Sequence, residues 1–299
     1  MSNHRIGAAV RSQFSSSTNP YNTFYADFDT YVPSIQSGFG LYVMNDRSYV
    51  WQSTSAGLSY AYAFNISEDV MVRPALQVVY HRQQQSSRGY TFPDGVNGSG
   101  GSTTIIYPLQ NEILQDFDFT TGLLFSHPSW EAGLAVGHIG AKKNDSLMVY
   151  ANRPVKLTIH GRGAFAIIGD ANLQNPDLTE WNTFSEAKII PYSIIAYQGD
   201  YRNIVLGSDI QVGALYAGLN VRSDFDFKAA CIGLALGLSS SSLKIGYNVD
   251  IMGFGSQLRG WNSTSHELYV HFNFGETSER AVKSGKKERK KSDCVGCPY

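Results

Sequence analysis

Charged residues are scarce in this chain of 299 residues, and their scarcity excludes several classes of protein. Asp, Glu, Lys and Arg make up 16% of the sequence and nearly cancel, to a formal net charge of −1. A balance this close to neutral excludes nucleic acid as an electrostatic partner of the whole molecule. Tyr, Phe and Gly are abundant instead, at 18, 16 and 29 residues. That composition is typical of many strands joined by tight turns.

Long apolar runs and clustered metal ligands are also missing. No run reaches the roughly 18 apolar residues of a membrane-spanning helix. Three cysteines are present: we expect Cys231 to be a small buried packing residue, and Cys294 with Cys297 supplies too few ligands for a closed zinc site. The seven histidines show no ligand spacing. The sequence therefore predicts no metal, no cofactor and no catalytic residue.

The chain contains many segments in which apolar and polar residues alternate with a period of two. In Glu267 to Phe274, the residues Leu268, Val270, Phe272 and Phe274 share one face, and polar residues occupy the other. Strand side chains point to opposite faces in turn, so each segment has one apolar and one polar face. About 14 such segments occur, at residues 4–14, 22–32, 38–46, 50–66, 69–85, 116–127, 130–141, 154–168, 187–199, 202–213, 215–226, 229–241, 243–254 and 266–275.

These segments predict an all-β fold, a transmembrane antiparallel β-barrel of about 14 strands over residues 1–275. A soluble sandwich or lipocalin-like barrel is the alternative, but it would carry more Lys and Glu on its polar face. In lipid, only closure into a barrel satisfies every backbone hydrogen bond. The barrel predicts a bacterial outer-membrane location with membrane lipid as a partner. Because Met1 to Arg5 contains no export signal, we expect one upstream of this numbering.

The lengths of the connections predict which way the barrel faces. Membrane barrels keep periplasmic turns short and outer loops long. With the first strand starting in the periplasm, the long connections 85–115, 142–153 and 254–265 lie outside, and most other turns are short. The exception is 169–186, a long connection on the periplasmic side. Residues 276–299 carry 7 basic and 4 acidic residues, which predicts a basic periplasmic tail.

The polar faces are expected to line the lumen and to hold mixed charges. One interpretation is an ion or substrate path, and the favoured one is a wall whose charges pair across the barrel. His271 and Glu267 lie about 13 Å apart along one strand, too far for a catalytic dyad. An outer-membrane hydrolase would instead depend on His271 or His160. The predicted lumen set is Asp27, Asp29, Arg73, Asp118, Lys156, Arg162, Asp209, Lys244, Asp250, Glu267 and His271.

Several strings resemble one known family. Arg5-Ile-Gly-Ala-Ala-Val-Arg-Ser-Gln13 and Gly38-Phe-Gly-Leu-Tyr-Val-Met-Asn-Asp46 are similar to the opening strands of the PorP/SprF family. Ser265-His-Glu-Leu-Tyr-Val-His-Phe-Asn-Phe-Gly275 is similar to its closing strand, and Cys297-Pro-Tyr299 to its ending. The resemblance covers nearly the whole chain. The Gly- and Ser-rich segment within 85–115 departs from the family pattern.

The resemblance implies a non-enzymatic outer-membrane component of the type IX secretion system of Bacteroidota. It implies a role in secretion or surface anchoring of adhesin-type cargo, including gliding adhesins. The partners would be secreted cargo with a C-terminal sorting domain and other secretion components, and nucleic acid would not be among them. A passive porin or small-solute transporter is the alternative. The residues expected to contact partners lie in the outer loops: Arg88, Tyr90, Phe92, Tyr107, Lys142, Lys143, Arg259 and Trp261.

Overall fold

The structure is a computed structural model of the chain. It describes residues 4–14, 20–48, 51–85, 113–140, 153–169, 187–226, 230–240, 242–254 and 264–275. In this described part, no helix is long and apolar enough to cross a membrane.

Antiparallel strands make up nearly all of the described chain. Sixteen strand segments form fourteen barrel strands, because β5 continues β4 and β10 continues β9. A single 3-10 turn, Pro33–Ile35, lies among the described residues between β2 and β3. The segments are β1 His4–Gln13, β2 Tyr21–Val32, β3 Ser37–Arg47, β4 Trp51–Tyr62, β5 Phe64–Asn65, β6 Met71–Gln85, β7 Ile113–His127, β8 Trp130–Ile139, β9 Lys156–Gly163, β10 Phe165–Ile168, β11 Ala187–Gln198, β12 Tyr201–Val212, β13 Leu215–Asp224, β14 Ala230–Ser239, β15 Leu243–Phe254 and β16 Thr264–Phe274.

The first and last strands close the sheet into a barrel. β1 pairs with β16 over its whole length, from His4 opposite Phe274 to Gln13 opposite Ser265. Every other neighbour in the ring also pairs antiparallel, so no long strand edge remains open. The predicted all-β barrel of about 14 strands is confirmed. Because the strand number is even, both termini of the barrel lie at one end, called here the terminal end. The opposite end is called the loop end.

Two predicted strands, 50–66 and 154–168, are interrupted rather than continuous. Each breaks at a buried alanine, Ala63 or Ala164, where the pairing with the following strand skips residues. Pro74 and Pro191 lie on the following strands at these two interruptions. Proline has no N–H to donate, so a sheet accepts it where the hydrogen-bond ladder is already broken. The two interruptions thus let proline occur within the wall of a closed barrel.

The outer face of the barrel is apolar and the inner face is polar. Large hydrophobic side chains point outward and stay exposed, for example Leu58 at 65%, Leu236 at 62% and Phe117 at 61%. A water-soluble protein does not surround itself with such a band, whereas a lipid-facing surface requires one. Six charged side chains of the inner face are instead buried below 10%: Asp27, Arg73, Asp118, Glu131, Lys188 and Asp250.

Cys231 corrects one expectation. It is half-buried, and it alternates with the outward-facing Ile232 and pairs with Arg222 of β13. It therefore lies on the lumen face instead of packing in a core.

Candidate functional site

All eleven charged residues predicted to line the lumen alternate with outward-facing apolar residues on their strands, as expected. Seven of the eleven fall into four clusters on the lumen wall, and Arg73, Lys156, Asp209 and Lys244 lie outside these clusters. Two of the clusters lie at the terminal end of the barrel, and two lie nearer the loop end.

The first cluster lies at the terminal end, on β16, β1 and β2. Arg5 forms an ion pair with Asp29, and its Nε lies 3.7 Å from an oxygen of Asp27. His271 Nε2 approaches the other Asp27 oxygen at 3.9 Å. Gly7 makes this arrangement possible, because a Cβ there would lie 2.2 Å from Asp27 and 2.4 Å from His271. His271 therefore contacts Asp27 and not Glu267.

The second cluster lies nearer the loop end and joins three strands to β1. Arg11 Nη2 donates to Asp250 at 2.8 Å, and its Nη1 lies 3.6 Å from Glu267. Arg222 of β13 approaches the same Asp250 at 3.5 Å, and Arg11 Nε donates to Ser265 at 2.9 Å. Two arginines thus share one carboxylate, which ties β1, β13, β15 and β16 together.

The third cluster has the order of a serine, histidine and aspartate relay, but not its chemistry. Ser55 Oγ lies 2.8 Å from His81 Nδ1, and His81 Nε2 lies 3.7 Å from Asp118. His138 also bonds to Asp118. A nucleophile must meet substrate and its base must hold a tight hydrogen bond to the carboxylate. Ser55 is only 2% exposed and cannot meet a substrate. The cluster is therefore a buried network of hydrogen bonds.

Sequence patterns gave little sign of this third cluster. His138 lies at a strand irregularity and has a positive φ of 59°, so simple alternation does not place it. Ser55 is one of many serines on polar faces. Beside them, Arg153 Nη2 lies 3.3 Å from Asp116, which ties the start of β9 to β7.

The fourth cluster lies at the terminal end of β7, β8 and β9. Arg162 Nε donates a hydrogen bond to one oxygen of Glu131 at 2.8 Å, and Arg162 Nη2 lies 2.6 Å from the same oxygen as an ion pair. Ser126 Oγ lies 3.5 Å from the other Glu131 oxygen. Glu131 was not among the predicted residues, because it begins a strand next to a turn, where an exposed acid is the ordinary expectation. The barrel wall buries it to 3% exposure.

A pair of tyrosines, Tyr216 on β13 and Tyr269 on β16, also lies on the lumen wall. The hydroxyls of Tyr216 and Tyr269 are hydrogen bonded, and Lys244 Nζ lies 5.4 Å and 5.7 Å from the two ring centres. Tyr216 lies over the glycine pair Gly237 and Gly246, where side chains would collide with its hydroxyl. Cation–π contacts and glycine gaps together hold the two rings against the wall.

The direct ion pairs join neighbouring or next-but-one strands, which refines the expectation that charges pair across the barrel. Asp209 of β12 lies over Gly218 of β13, where a Cβ would lie 2.1 Å from its carboxylate oxygen. Among the described residues, no group of three or more His, Cys, Asp or Glu could hold a metal ion.

The eight residues expected to contact partners lie outside the described residues. The strands that flank their segments are placed, however. β6 ends at Gln85 and β7 begins at Ile113, and the 141–152 and 255–263 segments likewise join strands at the loop end. The long connection 169–186 and the tail 276–299 fall almost wholly outside the described residues as well.

The closed antiparallel barrel, the apolar outer band and the buried polar lumen define a β-barrel protein of the outer membrane. Residues 1–272 match the family described as type IX secretion system membrane protein PorP/SprF. The chain belongs to this family, and it is thereby an outer-membrane component of the type IX secretion system. No curated protein matches the chain.

Two solved structures of bacterial proteins are similar to this chain in fold. The P. putida toluene transporter TodX has a TM-score of 0.52 and 9% identity, and the match covers 92% of this chain and 91% of TodX. The Acinetobacter baumannii outer membrane protein Omp33 has a TM-score of 0.49 and 8% identity, and the match covers 91% of this chain and 98% of Omp33. At such identities the likeness to TodX shows the barrel fold alone.

Proposed function

We propose that this chain is a non-enzymatic component of the secretion system that assists the secretion or surface anchoring of adhesin-type cargo, gliding adhesins of Bacteroidota among them. Family membership supports a secretion role. The observation that carries the proposal is the set of six lumen charges buried below 10% around the ring, on β2, β6, β7, β8, β11 and β15. Buried charges of this kind hold neighbouring strands together, which favours a structural role for the barrel over transport.

A passive pore is the second candidate, and the same observation argues against it. Fourteen strands can enclose a lumen wide enough for a solute unless side chains or loops fill it. Water in an open channel would leave its wall charges exposed. Here carboxylates such as Asp118 and Glu131 are at most 3% exposed. TodX, a toluene transporter, has a similar barrel, but the likeness is of fold.

The proposed orientation assigns the partners to the two ends. The loop end faces outward, where Arg88, Tyr90, Phe92, Tyr107, Lys142, Lys143, Arg259 and Trp261 contact cargo bearing a C-terminal sorting domain. The terminal end faces the periplasm, where the basic tail 276–299 contacts other secretion components. The apolar band contacts outer-membrane lipid. In this scheme no residue is catalytic, and His271 and His160 serve the wall.

Affinity purification from native membranes tests the proposal. The parent protein should recover a large secreted protein and further secretion components. Exchanging Tyr90 and Phe92 for serine should reduce the recovery of cargo and leave the recovery of secretion components unchanged. Deleting residues 276–299 should reduce the recovery of secretion components and leave the recovery of cargo unchanged. A pair of substitutions to serine at lipid-facing Phe24 and Phe28 is the control for expression and insertion. Recovery of neither class of partner by the parent contradicts the proposal.

Planar-bilayer conductance separates the scaffold from the pore. The purified barrel is expected to give no steady large conductance, because lumen carboxylates such as Asp118 and Glu131 are buried. A steady, ohmic conductance in the parent protein would favour the porin instead. Activity assays with ester and peptide substrates should show nothing that substitution of His271 or His160 removes.

A further inference from the structure

Arg73 is a buried arginine whose charge is not matched by any described carboxylate. The residue is 7% exposed and lies on the lumen face of β6, two residues from the terminal end of that strand. Its Nε donates to the sulfur of Met71 at 3.3 Å, a weak acceptor, and its Nη2 has no hydrogen-bond partner among the described residues. A buried cation without a counter-charge is unfavourable. A ligand with negative charge would remove that penalty.

His160 lies on the same row of the wall and is also unsatisfied. Arg73 pairs with Leu124, Leu124 with Gly133, and Gly133 with His160, so one register line crosses β6, β7, β8 and β9. The His160 ring leans over Gly133, where a Cβ would lie 2.3 Å from the ring. It therefore extends from β9 toward Leu124. Its Nε2 is buried and has no hydrogen-bond partner in the described part of the chain.

The neighbouring row offers Arg73 no free carboxylate. There Met71 of β6 pairs with Ser126, and Ser126 with Glu131. One oxygen of Glu131 already lies within 2.8 Å of two nitrogens of Arg162, and the other oxygen lies 3.5 Å from Ser126 Oγ. The two rows thus hold two arginines and a histidine against one carboxylate. The excess of positive charge falls on Arg73, with Leu124 as an apolar floor beside it.

We propose that Arg73 and His160 form a binding site for a carboxylate that a polypeptide presents at the terminal end of the lumen. A guanidinium matches a carboxylate through two parallel hydrogen bonds, which makes arginine well suited to this group. His160 Nε2 donates a further hydrogen bond when it carries the hydrogen, and Leu124 contacts the carbons that bear the carboxylate. This site does not depend on the proposed cargo role.

Fluorescence anisotropy with the full-length barrel in detergent micelles tests the site. The probe is a fluorescein-labelled hexapeptide with two glutamates and a free C-terminal carboxylate. Versions with glutamine for glutamate, or with a C-terminal amide, show whether the side-chain or the terminal carboxylate binds. Losing a hydrogen-bonded charge pair costs about 10-fold or more in affinity. Arg73→Gln should therefore weaken binding by about 10-fold, and Arg73→Lys by less.

Arg222→Gln is the matched control, because it removes the same charge from the lumen wall in a different cluster. It should change the affinity by less than about twofold. Equal affinity of the parent and Arg73→Gln overturns the proposal, as does failure of the parent to bind either carboxylate peptide. Equal binding of a peptide with neither carboxylate also overturns it. If Arg73→Gln does not fold, the peptide affinities of Arg73→Lys and His160→Gln are measured instead. If both variants bind the peptide as tightly as the parent protein does, the site is refuted.

Discussion

Replacing Gly237 with alanine is expected to destabilise the barrel, although alanine is usually the better residue in a strand. A Cβ at this position would lie 2.3 Å from the backbone carbonyl oxygen of Ile245 and 2.4 Å from the hydroxyl of Tyr216. Neither contact is tolerable, and the carbonyl belongs to the paired strand β15. The wall must therefore shift locally, and Tyr216 must leave its place beside Tyr269.

The magnitude follows from three terms. Overpacking a fitted site costs about 1–3 kcal/mol. Losing the hydrogen bond between the two tyrosines costs about 1 kcal/mol. Alanine restricts the unfolded chain and returns about 0.4–1 kcal/mol. The net expected loss in the free energy of unfolding is about 1–4 kcal/mol.

Gly38 provides a matched control on the lumen face of β3. A Cβ there would meet only backbone oxygens, at 3.8 Å and 4.0 Å, which are ordinary contacts. Gly38→Ala should stabilise the barrel by about 0.4–1 kcal/mol, because only the unfolded-chain term remains. Denaturant titration in lipid vesicles, followed by tryptophan fluorescence, measures both variants. If the two changes have the same sign, the explanation of Gly237 by steric fit is wrong.

Three further predictions concern the lipid face, the loop-end cluster and the orientation. Leu76→Arg places a charge in the lipid band and should cost about 2–4 kcal/mol of unfolding free energy. Gln77→Arg, at the next residue and facing the lumen, should cost under about 1 kcal/mol. Equal losses in the two variants would refute the assignment of faces. Asp250→Asn removes the carboxylate shared by two arginines. Because Arg11 and Arg222 are part-exposed, the loss should be about 1–2 kcal/mol, against under about 0.5 kcal/mol for Asp200→Asn in an exposed turn. On intact cells, a membrane-impermeant thiol reagent should label Asp200→Cys and should label Ser67→Cys only after the outer membrane is opened; the reverse pattern would invert the barrel.

The charged lumen illustrates how far local patterns reach. Strand alternation placed Asp27 and Asp250 on the polar face, because the period of two fixes the face of every side chain. It did not identify their partners, since Arg5 and Arg11 are distant in sequence from the acids they contact. Glu131 was missed because it begins a strand next to a turn, and its ion pair with Arg162 of the next strand depends on register.

The sequence by itself determined the class of fold, the approximate strands and the lipid-facing side, since alternation and turn residues act within a few positions of one another. Only the tertiary structure decided the ring closure between β1 and β16, the interruptions at Ala63 and Ala164, and the isolation of Arg73 from any described carboxylate. Those features depend on the register between strands, and register brings together residues that no local pattern relates.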